Sequence, residues 1–198
     1  MTVSIGCIVE GHGETEAVPI LLRRIATERR QPVAIQIAAV LRIRRNRLLK
    51  EGELERSVEL AARKSGADGR IFILLDADDD CPAELGPALL ARARKVRADR
   101  DIGVVLAKRE YESWFLAASD SLRGHRGLPS DLAPPPDPEA IRGAKEWLSR
   151  CMTVGTYVET LDQPALSAAF DITQARRADS FDKCCRVIET LLGVERER

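Results

Sequence analysis

The sequence predicts an α/β protein with a mostly parallel, four-stranded sheet flanked by helices and followed by a helical extension. Four short apolar runs alternate along the first 120 residues with segments whose apolar residues recur at helical spacing. Strands that alternate with helices are typical of right-handed crossovers, which make the strands parallel and bury them on both faces. Carboxylates follow three of the four runs within a few residues, so the same pattern also predicts a polar edge to the sheet.

The predicted strands span residues 3–9, 33–40, 71–75 and 102–107. The first helix is expected to start near Thr15, because Pro19 is tolerated only in a first turn, and to stop at Pro32. A second helix carries Leu54 and its apolar neighbours, Pro87 is expected to begin a third, and the segment 108–117 opens another.

The predicted organisation is an α/β domain over residues 1–120, then a linker and helical extension over 121–198 that packs on the core. The linker is rich in Gly, Ser and Pro. The extension is expected to hold a helix over 138–150, short helical pieces over 156–161 and 164–170, and a last helix over 180–192. That last helix has Ser180 as N-cap and Gly193 as C-cap.

Composition narrows the class of protein. The 198 residues contain 31 Lys plus Arg and 31 Asp plus Glu, so the net charge is no indication of a nucleic-acid partner. The five cysteines lack metal-ligand spacing, and we interpret them as reduced core residues. No apolar run approaches the roughly 20 residues of a membrane span, so we expect a soluble, cytoplasmic protein.

Acidic residues mark three of the predicted strand ends. Glu10 follows the first strand, Asp76 and Asp78 to Asp80 follow the third, and Glu110 and Glu112 follow the fourth. Because parallel strands end at the same sheet edge, these carboxylates are expected to lie together and to bind a hard divalent cation. The alternative is a solvated acidic turn that caps the next helix, and this remains open above all for Asp79 and Asp80.

Basic residues lie between the acidic junctions. Arg42, Arg44, Arg45, Arg47 and Lys50 form a short cluster after the second strand, and either hold a phosphate backbone or form a solvated connection. Lys108 and Arg109 follow the fourth strand, where they either neutralise phosphate charge or pair with the nearby carboxylates.

These motifs together resemble the TOPRIM (topoisomerase–primase) domain, and more closely small TOPRIM-like proteins of unknown function related to the OLD-type nucleases. The resemblance rests on Glu10-Gly11 after the first strand, Asp76-Ala-Asp78 after the third and Glu110-Tyr-Glu-Ser-Trp114 after the fourth. Thr15-Glu16 and the late segment from Ser180 to Lys183 extend it over nearly the whole chain.

The resemblance implies a Rossmann-like fold and a Mg²⁺-dependent (or Mn²⁺-dependent) site that hydrolyses phosphodiester bonds in DNA or RNA. Glu10 would be the general acid/base or a metal-linked carboxylate, and Asp76 and Asp78 would bind metal. Glu14 or Glu16, with Glu112, would complete a second metal position. Arg42, Arg44, Arg45, Arg47 and Lys108 are the candidate phosphate-binding residues.

Two departures from that family weigh on the functional prediction. Topoisomerases of this class use a tyrosine nucleophile from another domain, whereas Tyr111, one of two tyrosines here, is expected to pack beside Trp114. OLD-type nucleases carry an ATPase domain, and this chain has no Gly-x-x-x-x-Gly-Lys-Ser/Thr motif. The alternative is therefore a non-catalytic nucleic-acid-binding or regulatory subunit that works with a separately encoded ATPase. A phosphatase that acts on small phosphoesters is a third, less favoured hypothesis.

Overall fold

The computed structural model describes residues 2–28 and 32–193 and confirms the predicted α/β class. Its sheet has four strands: β1 (Thr2–Val9), β2 (Ala34–Arg42), β3 (Arg70–Asp76) and β4 (Ile102–Ala107). All pairings are parallel, and the strand order is β2-β1-β3-β4. The predicted strands lie within two residues of the observed ones at each end, because short, mostly apolar runs mark strands that pack on a core. The edge strand β2 is only partly buried.

Helices cover both faces of this sheet and continue beyond it. They are α1 (Glu14–Thr27), α2 (Arg45–Leu48), α3 (Glu53–Ser65), α4 (Pro82–Val96), α5 (Ser113–Ala117), α6 (Ala144–Cys151), α7 (Glu159–Ala169), α8 (Ile172–Ala175) and α9 (Asp179–Leu191). Short 3₁₀ turns occupy Ser119–Leu122 and Pro138–Ala140.

The side chains of each strand alternate between two apolar cores. Phe72 and Leu74 of β3 belong to the larger core, together with residues of α1, α5 and α9. Ile71, Ile73 and Leu75 point the other way, into a smaller core made with α3 and α4. This two-sided burial forms a three-layer arrangement in which only the ends of the strands are left for polar chemistry.

The C-terminal part of the chain shares the larger core. Leu148 of α6, Leu166 of α7 and Phe181 of α9 belong to the same apolar cluster as Trp114 of α5. Helix α9 lies so close to β4 that a Cβ built on Gly103 would come within 2.5 Å of Val187 Cγ1. The C-terminal part therefore packs on the sheet through buried apolar contacts.

Three predictions about helix bounds were wrong. Pro87 lies inside α4, which begins at Pro82; Ala83, whose carbonyl loses its helical partner, is an exposed residue. The segment 138–150 is a 3₁₀ turn followed by α6, because Gly143 adopts φ +69° between them. The two short pieces over 156–170 form the single helix α7.

The structure agrees with some of the predictions for single residues and differs from others. Ala178 occupies the N-cap of α9, and the Ser180 hydroxyl instead accepts hydrogen bonds from the Trp114 indole (2.8 Å) and the Lys108 backbone N–H (3.1 Å). Tyr111 packs beside Trp114 as predicted, with ring centroids 4.7 Å apart. All five cysteines are unbridged; three are buried, but Cys81 is exposed and Cys151 is only partly buried. Among the described residues, no helix is both long and apolar enough to cross a membrane.

Candidate functional site

The polar edge of the sheet is centred on the ends of β1 and β3. The chain leaves β1 towards β2 on one side and later leaves β3 towards β4 on the other, so the crossovers diverge between these two central strands. Ligands of open α/β sheets collect in the crevice at such a switch point. Glu10 follows β1 directly and Asp76 is the last residue of β3, so the fold brings two sequence-predicted carboxylates to this crevice.

Glu14 fixes the loop that carries Glu10. It is the first residue of α1 and is almost fully buried. Its Oε2 accepts the backbone N–H groups of Glu10 (2.8 Å) and Gly11 (3.2 Å). The buried Glu14 carboxylate therefore fixes the turn between β1 and α1 through two hydrogen bonds to its backbone.

Glu112 contributes a second buried carboxylate from the start of α5. Its Oε1 accepts hydrogen bonds from the Tyr157 hydroxyl (2.7 Å) and from Gln163 Nε2 (3.1 Å). Its Oε2 is buried and has no hydrogen-bond partner within the described part of the chain, and the same is true of Glu10 Oε2. Two acidic oxygens are thus withdrawn from water without compensation, which is costly unless a proton or a cation is present.

These carboxylates raise one another's pKa. Burial raises the pKa of Glu14 to about 7, and the charges of Glu112 and Glu10 add to the effect against the two backbone donors. Burial likewise raises the pKa of Glu112 to about 7, although Lys145 and the Tyr157 hydrogen bond lower it. The pKa of Asp76 is raised well above its usual range by burial and by the charges of Glu14 and Glu112. Burial and the charge of Asp78 raise the pKa of Glu10.

Lys145 of α6 is the basic residue that enters this cluster, and sequence reasoning missed it. Its Nζ lies 3.3 Å from Glu159 Oε2. Burial lowers the pKa of Lys145, but the charges of Glu112, Asp76 and Glu159 outweigh burial and raise it. One ammonium group therefore balances part of the charge of several carboxylates. No motif in the sequence pointed to Lys145, because it lies more than 30 residues beyond the last acidic junction.

Helix α7 closes over the loop between β1 and α1, and this explains the two glycines there. A Cβ on Gly13 would lie 2.3 Å from Gln163 Oε1 and 2.5 Å from the Glu159 carbonyl oxygen. The Gly13 N–H donates to Glu159 Oε1 at 3.1 Å. Gly13 has φ −63°, an ordinary helical value, so close packing rather than backbone conformation requires glycine at this position.

The remaining acids after β3 form exposed ion pairs. Arg45 pairs with Asp78 (Nε to Oδ2, 3.7 Å) and with Asp80, and it also donates to the Asp76 carbonyl (3.1 Å). Asp79 pairs with Arg109 and with Arg142. Asp78 therefore lies at the rim of the crevice, next to Glu10, whereas Asp79 and Asp80 face the basic residues that surround it.

Several candidate residues do not join the cluster. Glu16 is two residues beyond Glu14, about 200° around the helix, and is exposed on the outer side of α1. Glu110 caps α6 by accepting the N–H groups of Gly143 (3.0 Å) and Ala144 (3.3 Å). Neither residue faces the crevice, because the helix geometry turns the first away and the second is occupied by a helix end.

The predicted phosphate-binding residues divide into two groups. Arg47 points to Glu53 of α3, with Nε 2.7 Å from Oε2, and Arg45 is held by the acidic turn. Arg42 ends β2 opposite Val9, Arg44 is exposed just before α2, and Lys108 is exposed just after β4. No ion pair of these last three occurs within residues 2–28 and 32–193, so they offer positive charge at the acidic edge.

The carboxylates of this edge are oxygen ligands, the kind that Mg²⁺ and Mn²⁺ prefer. Within the described ranges, no three His, Cys, Asp or Glu side chains form a group able to hold a metal ion as they stand. Mg²⁺, however, is commonly held by one or two carboxylates, with water and substrate phosphate completing its oxygen shell. Asp76 ends β3 and Glu10 follows β1, and Glu10 Oε2 has no hydrogen-bond partner among the described residues, so these two carboxylates have the chemistry that such a sparser site requires.

The fold and this edge together define an α/β protein with a cluster of buried and partly buried carboxylates at the switch point of a parallel sheet. The chain belongs to the family described as a domain of unknown function (DUF4276), whose family model matches residues 9–189. That range begins one residue before Glu10 and contains every residue of the cluster. Comparisons with curated proteins and with solved structures gave no significant match.

Proposed function

We propose that this protein is a divalent-metal-dependent hydrolase of phosphodiester bonds in nucleic acid, with a TOPRIM-like site. The observation that carries the proposal is the cluster of Glu10, Glu14, Asp76 and Glu112. It lies just beyond the ends of three strands, and burial raises the pKa of each member, with repulsion from a neighbouring carboxylate adding to the shift. Buried acids without matching cations are unfavourable for stability, and active sites are where such arrangements are typically found.

Each residue of the crevice has a role in this proposal. Asp76 and Glu10 would hold the ion, which supplies Lewis acidity at the phosphate and charge compensation for the cluster. Glu10, partly exposed and with a raised pKa, is suited to move a proton between the crevice and the attacking water or leaving oxygen. Glu14 positions Glu10 by accepting a hydrogen bond from the Glu10 backbone N–H. Lys145 of α6 offsets part of the negative charge of the cluster.

The basic rim supports nucleic acid as the substrate class. Arg42, Arg44 and Lys108 lie at the same sheet edge as the carboxylates, on both sides of the crevice. Each phosphate neutralised by such a residue releases counterions and adds salt-dependent affinity. A cleft that has carboxylates inside and basic side chains around it suits a polyanion. The reacting phosphate would bind the metal ion, and the adjacent phosphates would bind the arginines and the lysine.

The decisive experiment measures cleavage of single- and double-stranded DNA and RNA with Mg²⁺ or Mn²⁺. Glu10→Gln and Asp76→Asn are expected to lower the rate by at least about 100-fold, as expected for the loss of a catalytic group or metal ligand. Asp68→Asn is the matched control, because Asp68 is an exposed acid that precedes β3 at the opposite edge of the sheet.

A metal-binding readout runs in parallel. Mn²⁺ is expected to raise the Tm of the wild type at pH 8 and to raise that of Asp76→Asn less, because ligand binding to the folded state stabilises it. Cleavage that is equal in all variants would refute the hydrolase proposal. Metal-independent nucleic-acid binding without cleavage would instead favour the alternative, a binding or regulatory subunit that works with a separate ATPase.

A further inference from the structure

Two arginines from separate segments converge on one exposed carboxylate beside the acidic crevice. Arg109 lies in the turn after β4, and Arg142 lies just before α6. Both bind Asp79, and Arg142 Nη2 is 2.7 Å from Asp79 Oδ1. These residues line a pocket of about 180 Å³, together with Asp78, Glu110 and Gly143.

The backbone conformation of Arg109 is fixed by contacts with Asp78. Arg109 adopts φ +68° and Asp78 adopts φ +50°, a left-handed conformation that is unfavourable for residues other than glycine. The two strained turns are joined, because the Asp78 N–H donates to the Arg109 carbonyl at 3.0 Å. The Arg109 guanidinium donates back to the Asp78 carbonyl at 3.1 Å. Strained backbone of this kind persists where the surrounding structure fixes it, and it is concentrated at ligand sites.

The other acids of the pocket are already engaged, so they do not neutralise the arginines. Glu110 accepts the first N–H groups of α6, and Asp78 pairs with Arg45. The Asp79 side chain is 68% exposed, that of Arg142 69% and that of Arg109 27%, and ion pairs with so exposed a carboxylate contribute little to stability. Asp79 is therefore an easily displaced occupant of a site built from two guanidinium groups.

We propose that Arg109 and Arg142 form a phosphate-binding subsite, and that Asp79 occupies it in the absence of ligand. Arginine matches phosphate geometry through paired N–H donors, and such charge-assisted bonds are stronger than neutral ones. A phosphate that enters the pocket takes the two guanidinium groups from Asp79, which swings towards solvent. The identification of this phosphate as part of a nucleic acid rests on the proposed function; binding of the phosphate group itself does not.

The test measures binding in metal-free buffer with EDTA, so that no cleavage takes place. The probes are inorganic phosphate and a short, unphosphorylated oligothymidylate, titrated by calorimetry at low salt. Arg142→Gln is expected to weaken binding about 10-fold, because it removes a bidentate donor. Asp79→Asn is expected to tighten binding about three- to ten-fold, because it removes the competing carboxylate.

Matched controls separate the subsite from general changes of charge. Arg63→Gln and Asp120→Asn break exposed ion pairs elsewhere, with Glu59 and Arg123 respectively. The subsite is refuted if Asp79→Asn binds no tighter than Asp120→Asn, if Arg142→Gln binds like Arg63→Gln, or if no probe binds the wild type. Tightening with inorganic phosphate supports a site for a terminal phosphate, and tightening with the oligonucleotide supports a site for the backbone diester.

The two proposals fail independently. If the binding pattern holds while no nucleic acid is cut, the phosphate subsite stands and the hydrolase proposal falls. If cleavage depends on Glu10 and Asp76 while Asp79→Asn and Arg142→Gln bind like their controls, the hydrolase stands and the subsite falls.

Discussion

Single residues of the crevice hold protons that ordinary carboxyl groups would have lost near neutral pH. The pKa values of Glu14 and Glu112 are both raised from 4.5 to about 7, with burial as the main cause. Each group accepts hydrogen bonds, yet Glu112 Oε2 has no partner among the described residues. The protein therefore keeps acids in a place where their charged form is unfavourable, and their titration should be visible in its stability.

The stability of the metal-free protein is expected to fall as pH rises from about 4.5 to 7. In this window the folded state still holds the protons of Glu14 and Glu112, whereas the unfolded chain has released them. The folded state thus binds more protons, and the slope of unfolding free energy against pH is negative. Urea unfolding at pH 5, 6, 7 and 8 in EDTA measures this slope.

Glu112→Gln tests the assignment of that slope. Glutamine keeps an oxygen for the Tyr157 hydroxyl and carries no charge, so the variant should show a flatter profile. At pH 8 it should also gain on the order of 2 kcal/mol over the wild type. Glu146→Gln, at an exposed position of α6, is the control. A wild-type slope in Glu112→Gln would show that another group carries the pH dependence.

Helix α7 determines the shape of the loop that carries Glu10, although it lies about 150 residues further along the chain. It presents Glu159 and Gln163 to the loop, and the two glycines allow the approach. At Gly13 the obstacle to a side chain includes a backbone carbonyl, whereas at Gly11 it is the flexible Glu159 carboxylate at 2.7 Å. The two positions should therefore respond differently to the same substitution.

Gly13→Ala is expected to destabilise the protein by about 1–3 kcal/mol, because the added methyl group overlaps a backbone atom that cannot move alone. Gly11→Ala is expected to cost less, because the Glu159 side chain can rotate away. Thermal or urea unfolding compares the two variants directly. Equal losses of stability, or a larger loss for Gly11→Ala, would contradict the close packing of α7 on this loop.

The larger apolar core contains residues from both sides of the predicted boundary at residue 120. Leu148, Leu166 and Phe181 beyond the boundary share that core with Phe72 and Trp114 before it. Removal of the C-terminal part would expose the face of the sheet that α9 covers and would leave Glu112 without its hydrogen-bond partners. Folding of the first 120 residues therefore depends on the rest of the chain.

A fragment of residues 1–120 is expected not to fold on its own, because it loses the apolar contacts that cover one sheet face. Circular dichroism and dispersion of amide proton signals measure this, with the full chain as the reference. The full chain should unfold in a single cooperative transition. A folded fragment with a cooperative melt would instead make residues 121–198 an independent appendage.

Local patterns in the sequence were sufficient to predict the α/β class, the four strands and the acidic residues that follow three of them. Short, mostly apolar runs mark the strands, and residues that follow parallel strands lie at one edge of the sheet. Glu10 and Asp76 were predicted on this basis and Glu112 from the family resemblance, and the pKa of each is raised by burial. These carboxylates lie near one another because parallel strands end at the same edge of the sheet, however far apart the residues are in the sequence.

Which carboxylates are buried, and which groups surround them, depends on contacts between segments that are far apart in the sequence. Glu14 and Glu16 are equivalent in the sequence, but helix geometry buries one and exposes the other. Lys145, Glu159 and Gln163 reach the crevice from α6 and α7, and nothing in their local sequence predicts that contact. Burial and electrostatic coupling depend on neighbours distant along the chain, and a linear pattern does not contain them.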